Sequence, residues 1–173
     1  MKANSCLTIL LLIVMQAMCF AQNKAETDIL KSEQLYLVSD GHYIKFNDLK
    51  NSSIPKLFGH PLKIKNEKWE TNNAKNNRTY VYNNGEIVLE DGVLSFIDIK
   101  KKGWYFAFKR GKTFTKPLTI GSSILELKKQ FPVSWQNKRD KLIYVQIEGC
   151  DCSISFNYSG NFITELGFYS DES

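Results

Sequence analysis

The chain has 173 residues, 43% of them hydrophobic and 13% aromatic, and a formal charge of +5 at pH 7. That length suits one ordinary domain or two small repeats, with enough apolar residues for a real core. The charge is too small to argue for nucleic acid as a partner, and cysteines only at positions 6, 19, 150 and 152 exclude a disulfide-held scaffold.

Lys2, the apolar run from Leu7 to Met15, and small residues at Cys19 and Ala21 predict a secretory signal over residues 1–21. The run is too short to span a bilayer, so no transmembrane segment is expected in the mature chain. The expected location is exported, periplasmic or secreted. A minority alternative is a lipid anchor at Cys19.

Residues 22–34 are polar and read as a flexible N-terminus. "LYLVSDGHYIKF" then places two β-rich runs around Asp40-Gly41, a hairpin signal. Ser52 or Ser53, Pro55, Gly59 and Pro61 bracket a short helix. "NEKWETNNAKNNR" reads as a polar loop. "TYVY", "EIVLE" and "VLSFIDI" are strands turning at Asn83-Asn84-Gly85 and Asp91-Gly92, and "WYFAF" is a further strand. "IGSSILELKKQFP" predicts a helix with a capping box from Ser123 to Glu126 and a stop at Pro132. "KLIYVQI", "CSISFNY" and "NFITELGFY" complete a second set of three strands.

The halves match: a short helix ending in Phe58 or Phe131, then Trp69 or Trp135, then three strands. Ile87 aligns with Ile154 and Ile97 with Leu166, a period of roughly seventy residues. The expected fold class is α+β, two tandem helix-plus-three-stranded-meander units forming one antiparallel sheet with an N-terminal hairpin. Residues 35–103 hold the hairpin and first unit, and residues 104–173 the linking strand and second unit.

An "IGSS-x-x-E-x-x-x-x-FP" helix followed by a three-stranded meander, repeated in tandem, resembles the β-lactamase-inhibitor-protein-like fold. Small outer-membrane-assembly lipoproteins look like one copy of the same unit. The resemblance covers roughly residues 42–170 and implies a non-catalytic module that binds other proteins through its sheet.

Cys150 and Cys152 fall at a hairpin turn, with Cys152 on the face of Ile154 and Phe156. They read as packing thiols. A redox or intermolecular disulfide and a metal site stay open as alternatives. His42 and His60 are distant in sequence, and no nucleophile elbow, HExxH motif or Walker loop occurs. No cofactor and no enzymatic activity are expected.

The segment Lys100–Lys116 carries seven Lys or Arg and no acid, with Trp104, Tyr105, Phe106 and Phe108 interleaved. It reads as an edge strand and connector guarded by lysines, with a weak contact to an anionic surface as a further expectation. Strand alternation assigns Val81, Ile87, Leu89, Val93, Ile97 and Ile99 to the helix side. It turns Tyr80, Tyr82, Val88, Leu94 and Phe96 outward, joined by Tyr144, Ile163 and Tyr169 from the second unit. Tyr80, Tyr82, Phe96, Tyr144 and Tyr169 are therefore the expected partner-binding residues. The expected function is an exported binding or scaffolding protein of the bacterial cell envelope. The alternative is a small redox or metal-handling protein using Cys150 and Cys152.

Overall fold

The computed structural model describes residues 27–51, 53–68 and 76–170. The expected signal, the lipid option at Cys19, Ser52, Trp69 and the centre of the Asn-rich loop lie outside the described residues.

In chain order the elements are β1 (Ile29–Leu30), β2 (Leu35–Ser39), β3 (His42–Lys45), α1 (Ile54–Phe58), β4 (Lys63–Lys68), β5 (Asn76–Val81), β6 (Gly85–Glu90) and β7 (Val93–Ile99). They continue with β8 (Trp104–Arg110), β9 (Thr113–Phe114), α2 (Ile124–Gln130), α3 (Pro132–Gln136), β10 (Leu142–Ile147), β11 (Cys152–Ser159) and β12 (Phe162–Ser170). The fold is α+β. An eight-stranded sheet runs β1-β10-β11-β12-β7-β6-β5-β4, and a four-stranded sheet runs β3-β2-β8-β9. The large sheet is mixed, because β1 pairs with β10 in parallel while the other ladders are antiparallel.

Turn chemistry acts where expected. Asp40 and Gly41 take φ of 49° and 79°, and Asp91 and Gly92 take 46° and 88°, as tight primed hairpin turns require. Ser123 Oγ accepts the Leu125 N–H at 3.2 Å and starts α2. Glu126 turns instead towards Lys116, 3.8 Å away, so the capping role rests with the serine.

Four expectations about strands are corrected. The hairpin β2–β3 and the "WYFAF" strand leave the main sheet and form the second one. Every residue of β2 is buried, which suits a strand sandwiched between neighbours and covered on both faces. Strand β8 is accordingly interior, between β2 and β9, and not an edge. The ends of the Asn-rich segment are ladder, pairing Asn66 with Arg78 and Glu67 with Asn77. Backbone pairing at a solvated edge needs no apolar side chains, so it leaves no periodic signal. The segment read as flexible contributes β1, where Leu30 is buried opposite Ile147.

The core lies between the two sheets. One cross-strand row of the large sheet runs Tyr80, Ile87, Ile97, Phe168, Ile154, Val145, each residue the register partner of the next. All six are buried. Phe46 joins this row to the small sheet, its ring centroid 5.1 Å from Phe168 and 5.4 Å from Phe106. Phe131, at the end of α2, sits between Phe108 at 5.0 Å and Phe156 at 5.8 Å. The Phe46–Phe168, Phe46–Phe106 and Phe108–Phe131 pairs meet edge to face, and such pairs add roughly 0.5–1.5 kcal/mol each beyond the area they bury. The small sheet and α2 thus cover one face of the large sheet.

Candidate binding face

The opposite face of the large sheet is assembled by register. One row runs Thr79, Val88, Phe96, Tyr169, Ser153; the next runs Val81, Glu86, Asp98, Gly167, Ser155, Tyr144. Phe96 and Tyr169 are direct cross-strand partners, with Val88 beside Phe96. Tyr169 is 53% exposed and Tyr144 42%, while Phe96 is half-buried. Three of the five residues expected on this face are there: Phe96, Tyr144 and Tyr169.

Tyr80 and Tyr82 are not. Tyr80 is the register partner of Ile87 and is 1% exposed, its hydroxyl donating to the Asn51 carbonyl at 3.1 Å. Tyr82 lies on the same side, packed against Phe58 and Trp104 at 6.1 and 5.3 Å between ring centroids. Its hydroxyl donates to the Gly59 carbonyl at 3.2 Å. Burial, followed by the neighbouring Tyr80, pushes the Tyr82 phenol up to about 12. A tyrosine whose hydroxyl finds a carbonyl can enter a core, and "TYVY" is apolar on both parities, so alternation alone points the wrong way.

Two β-bulges invert the parity elsewhere. Between Val88 and Leu89 the register slips so that Leu89 faces Leu94, and between Asn157 and Tyr158 it slips so that Tyr158 faces Ile163. Leu94 and Ile163, expected outward, are buried, and Val93, expected inward, is 56% exposed. One extra residue on one strand of a pair turns every later side chain over.

Charge on the open face is local and acidic. Asp98 is buried and Lys100 Nζ lies 2.6 Å from its carboxylate. The hydrogen bond to Asp98 raises the Lys100 pKa, helped by the charge of Asp98 and, more weakly, by Glu86 and Glu165. Asn157 donates to Glu165 at 2.6 Å. Three carboxylates therefore share one lysine on a chain that is positive overall. The Ser155 side chain fills the space over Gly167 beside them, since a Cβ there would stand 2.7 Å from Ser155 Oγ. Lys63 and Lys65 line the β4 rim.

The basic segment 100–116 does not make one patch. Trp104, Phe106 and Phe108 are core residues. Lys100 pairs with Asp98, Lys116 faces Glu126, and Arg110 donates to the Gln130 carbonyl while lying over the Phe131 ring.

Cys150 and Cys152 are joined as a disulfide, so they are not the free packing thiols expected. Cys152 is buried on the core face, as alternation predicts, and Cys150 is half-buried. A cavity of about 290 Å³ opens beside the pair, between the sheets, walled by Leu35, Phe46, Leu94 and Phe168. The sequence carries no signal for this cavity, because its walls are distant in the chain and look like ordinary core. Among the described residues no three His, Cys, Asp or Glu side chains converge to hold a metal, and no helix is long and apolar enough to cross a membrane. His42 and His60 are exposed. Comparison with family models, with curated proteins and with solved structures found no match.

Proposed function

We propose that the chain is an exported, non-catalytic binding or scaffolding protein of the bacterial cell envelope, engaging a protein partner through the open face of the large sheet. The observation that carries this reading is the asymmetry of that sheet. One face is covered by α2 and the small sheet, while the other presents Phe96, Tyr169 and Tyr144 beside Glu86, Asp98 and Glu165. Aromatic anchors next to charge are the composition of an interface core and rim. The partner that fits is a protein surface carrying an apolar side chain next to a Lys or Arg.

The same reading includes two tandem helix-plus-meander units, which would align the chain with the inhibitor-like fold. The bulges support it: the steps from Val88 to Asn157, from Ile97 to Leu166 and from Leu94 to Ile163 are equal along the chain. That step aligns Ile87 with Phe156 and not with Ile154. Asp98 and Gly167, separated by the same step, pair with each other where β7 meets β12. A dyad between two like units demands such a self-paired position.

The test is capture of envelope proteins on the immobilised chain, compared with the double variant Phe96→Ser, Tyr169→Ser. Loss of a wild-type-specific band, at least tenfold, with an unchanged melt supports the reading. Equal capture by both proteins overturns it.

A further inference from the structure

We propose that the Cys150–Cys152 bridge is a thiol–disulfide exchange site that oxidises polypeptide dithiols carrying an apolar residue beside the thiol. A bridge separated by two positions closes the smallest loop of any spacing the chain could use. It constrains the unfolded chain least, and it sits in a turn already set by the β10–β11 hairpin. Its contribution as a staple is therefore small, and its chemistry is what distinguishes it.

The surroundings favour attack at one sulfur. Cys150 is half-buried and reachable from solvent, whereas Cys152 is buried with Ser170 Oγ 3.3 Å from its Sγ. A substrate thiolate attacks Cys150 Sγ, forming the mixed disulfide and breaking the Cys150–Cys152 bond. The electron pair leaves on Cys152 Sγ, where the Ser170 hydroxyl donates a hydrogen bond to the new thiolate. The second substrate thiolate then attacks its own sulfur in the mixed disulfide and releases Cys150 as thiolate. The substrate loses two electrons and two protons to become a disulfide, and the Cys150–Cys152 pair becomes a dithiol. The adjacent cavity, walled by Leu35, Phe46, Leu94 and Phe168, receives the apolar neighbour of the attacking cysteine and holds it against Cys150.

The experiment uses the oxidised full chain and two reduced peptides, each with a pair of cysteines, one with leucine and one with serine beside the first. Acid quenching, alkylation and mass measurement follow the thiols. The expected result is two thiols on the chain for each peptide disulfide formed, at least fivefold faster with the leucine peptide. Ser170→Ala should slow exchange about threefold to tenfold while the bridge stays intact. Cys152→Ser, oxidised against the peptide, should hold a one-to-one adduct on Cys150. Should that variant fail to fold, the wild-type rates and Ser170→Ala still decide the matter. A bridge reduced only after denaturation, equal rates with both peptides, or no effect of Ser170→Ala would each overturn the proposal.

Discussion

At the residue scale, Tyr82 shows how burial turns an aromatic into a pH-sensitive part of the fold. Its phenol is held neutral up to about 12, against an ordinary value of 10.0, chiefly by desolvation. Below the ordinary value both folded and unfolded chains keep the proton, so Tyr82 adds no pH dependence there. Between 10 and 12 the unfolded chain releases its proton first, and stability falls as pH rises. Denaturant unfolding at pH 9 and 11.5 should show a smaller alkaline loss in Tyr82→Phe than in the wild type. At pH 9 the variant should cost only about 1 kcal/mol, the hydrogen bond to Gly59. Gly85 gives a second test. A Cβ there would lie 1.8 Å from the Asp98 carbonyl oxygen across the ladder, a backbone atom that cannot swing aside. Gly85→Ala should lower stability by roughly 2–4 kcal/mol, read from thermal melts.

At the element scale, the bulges decide which side chains make the core. Leu94→Ala and Ile163→Ala should each cost roughly 2–4 kcal/mol, because both remove buried methyl groups behind a register slip. Val93→Ala and Phe162→Ala, exposed at the adjacent turns, should stay within about 0.5 kcal/mol. Urea unfolding of the four variants separates the structure from strict alternation, which ranks Val93 as core and Leu94 and Ile163 as surface. Turns, strands and α2 were legible in the sequence because Asp40-Gly41, Asp91-Gly92 and Ser123 impose local backbone geometry. The bulges were not, since one unpaired residue in a strand leaves no chemical mark on its own position. Nor were β4, whose pairing rests on backbone hydrogen bonds at a solvated edge, and β1, two residues long with one buried side chain, Leu30.

At the scale of the molecule, one sheet presents two different faces. Its inner face supplies the row from Tyr80 to Val145 to the core, and its outer face carries Phe96, Tyr144 and Tyr169 with the acidic cluster. Those three aromatics were legible because no bulge stands between each and the buried neighbour that fixes its parity, Ile97, Phe168 and Val145. The acidic cluster was not, since Glu86, Asp98 and Glu165 meet only through the pairings of β6, β7, β11 and β12. The two faces should respond independently to substitution. Ile97→Ala opens a cavity in the core and should cost roughly 2–4 kcal/mol, while partner binding below the melting transition persists. Glu86→Lys with Glu165→Lys leaves the core untouched and reverses the charge that surrounds Lys100. Stability should then change by no more than about 1 kcal/mol, while affinity falls at least tenfold. Association of the wild type should also weaken as salt rises, because charges on an open sheet face are screened within about 10 Å at 0.1 M ionic strength. Binding that survives the double charge reversal, or that ignores salt, would remove the acidic cluster from the interface and leave the aromatic row to account for it alone.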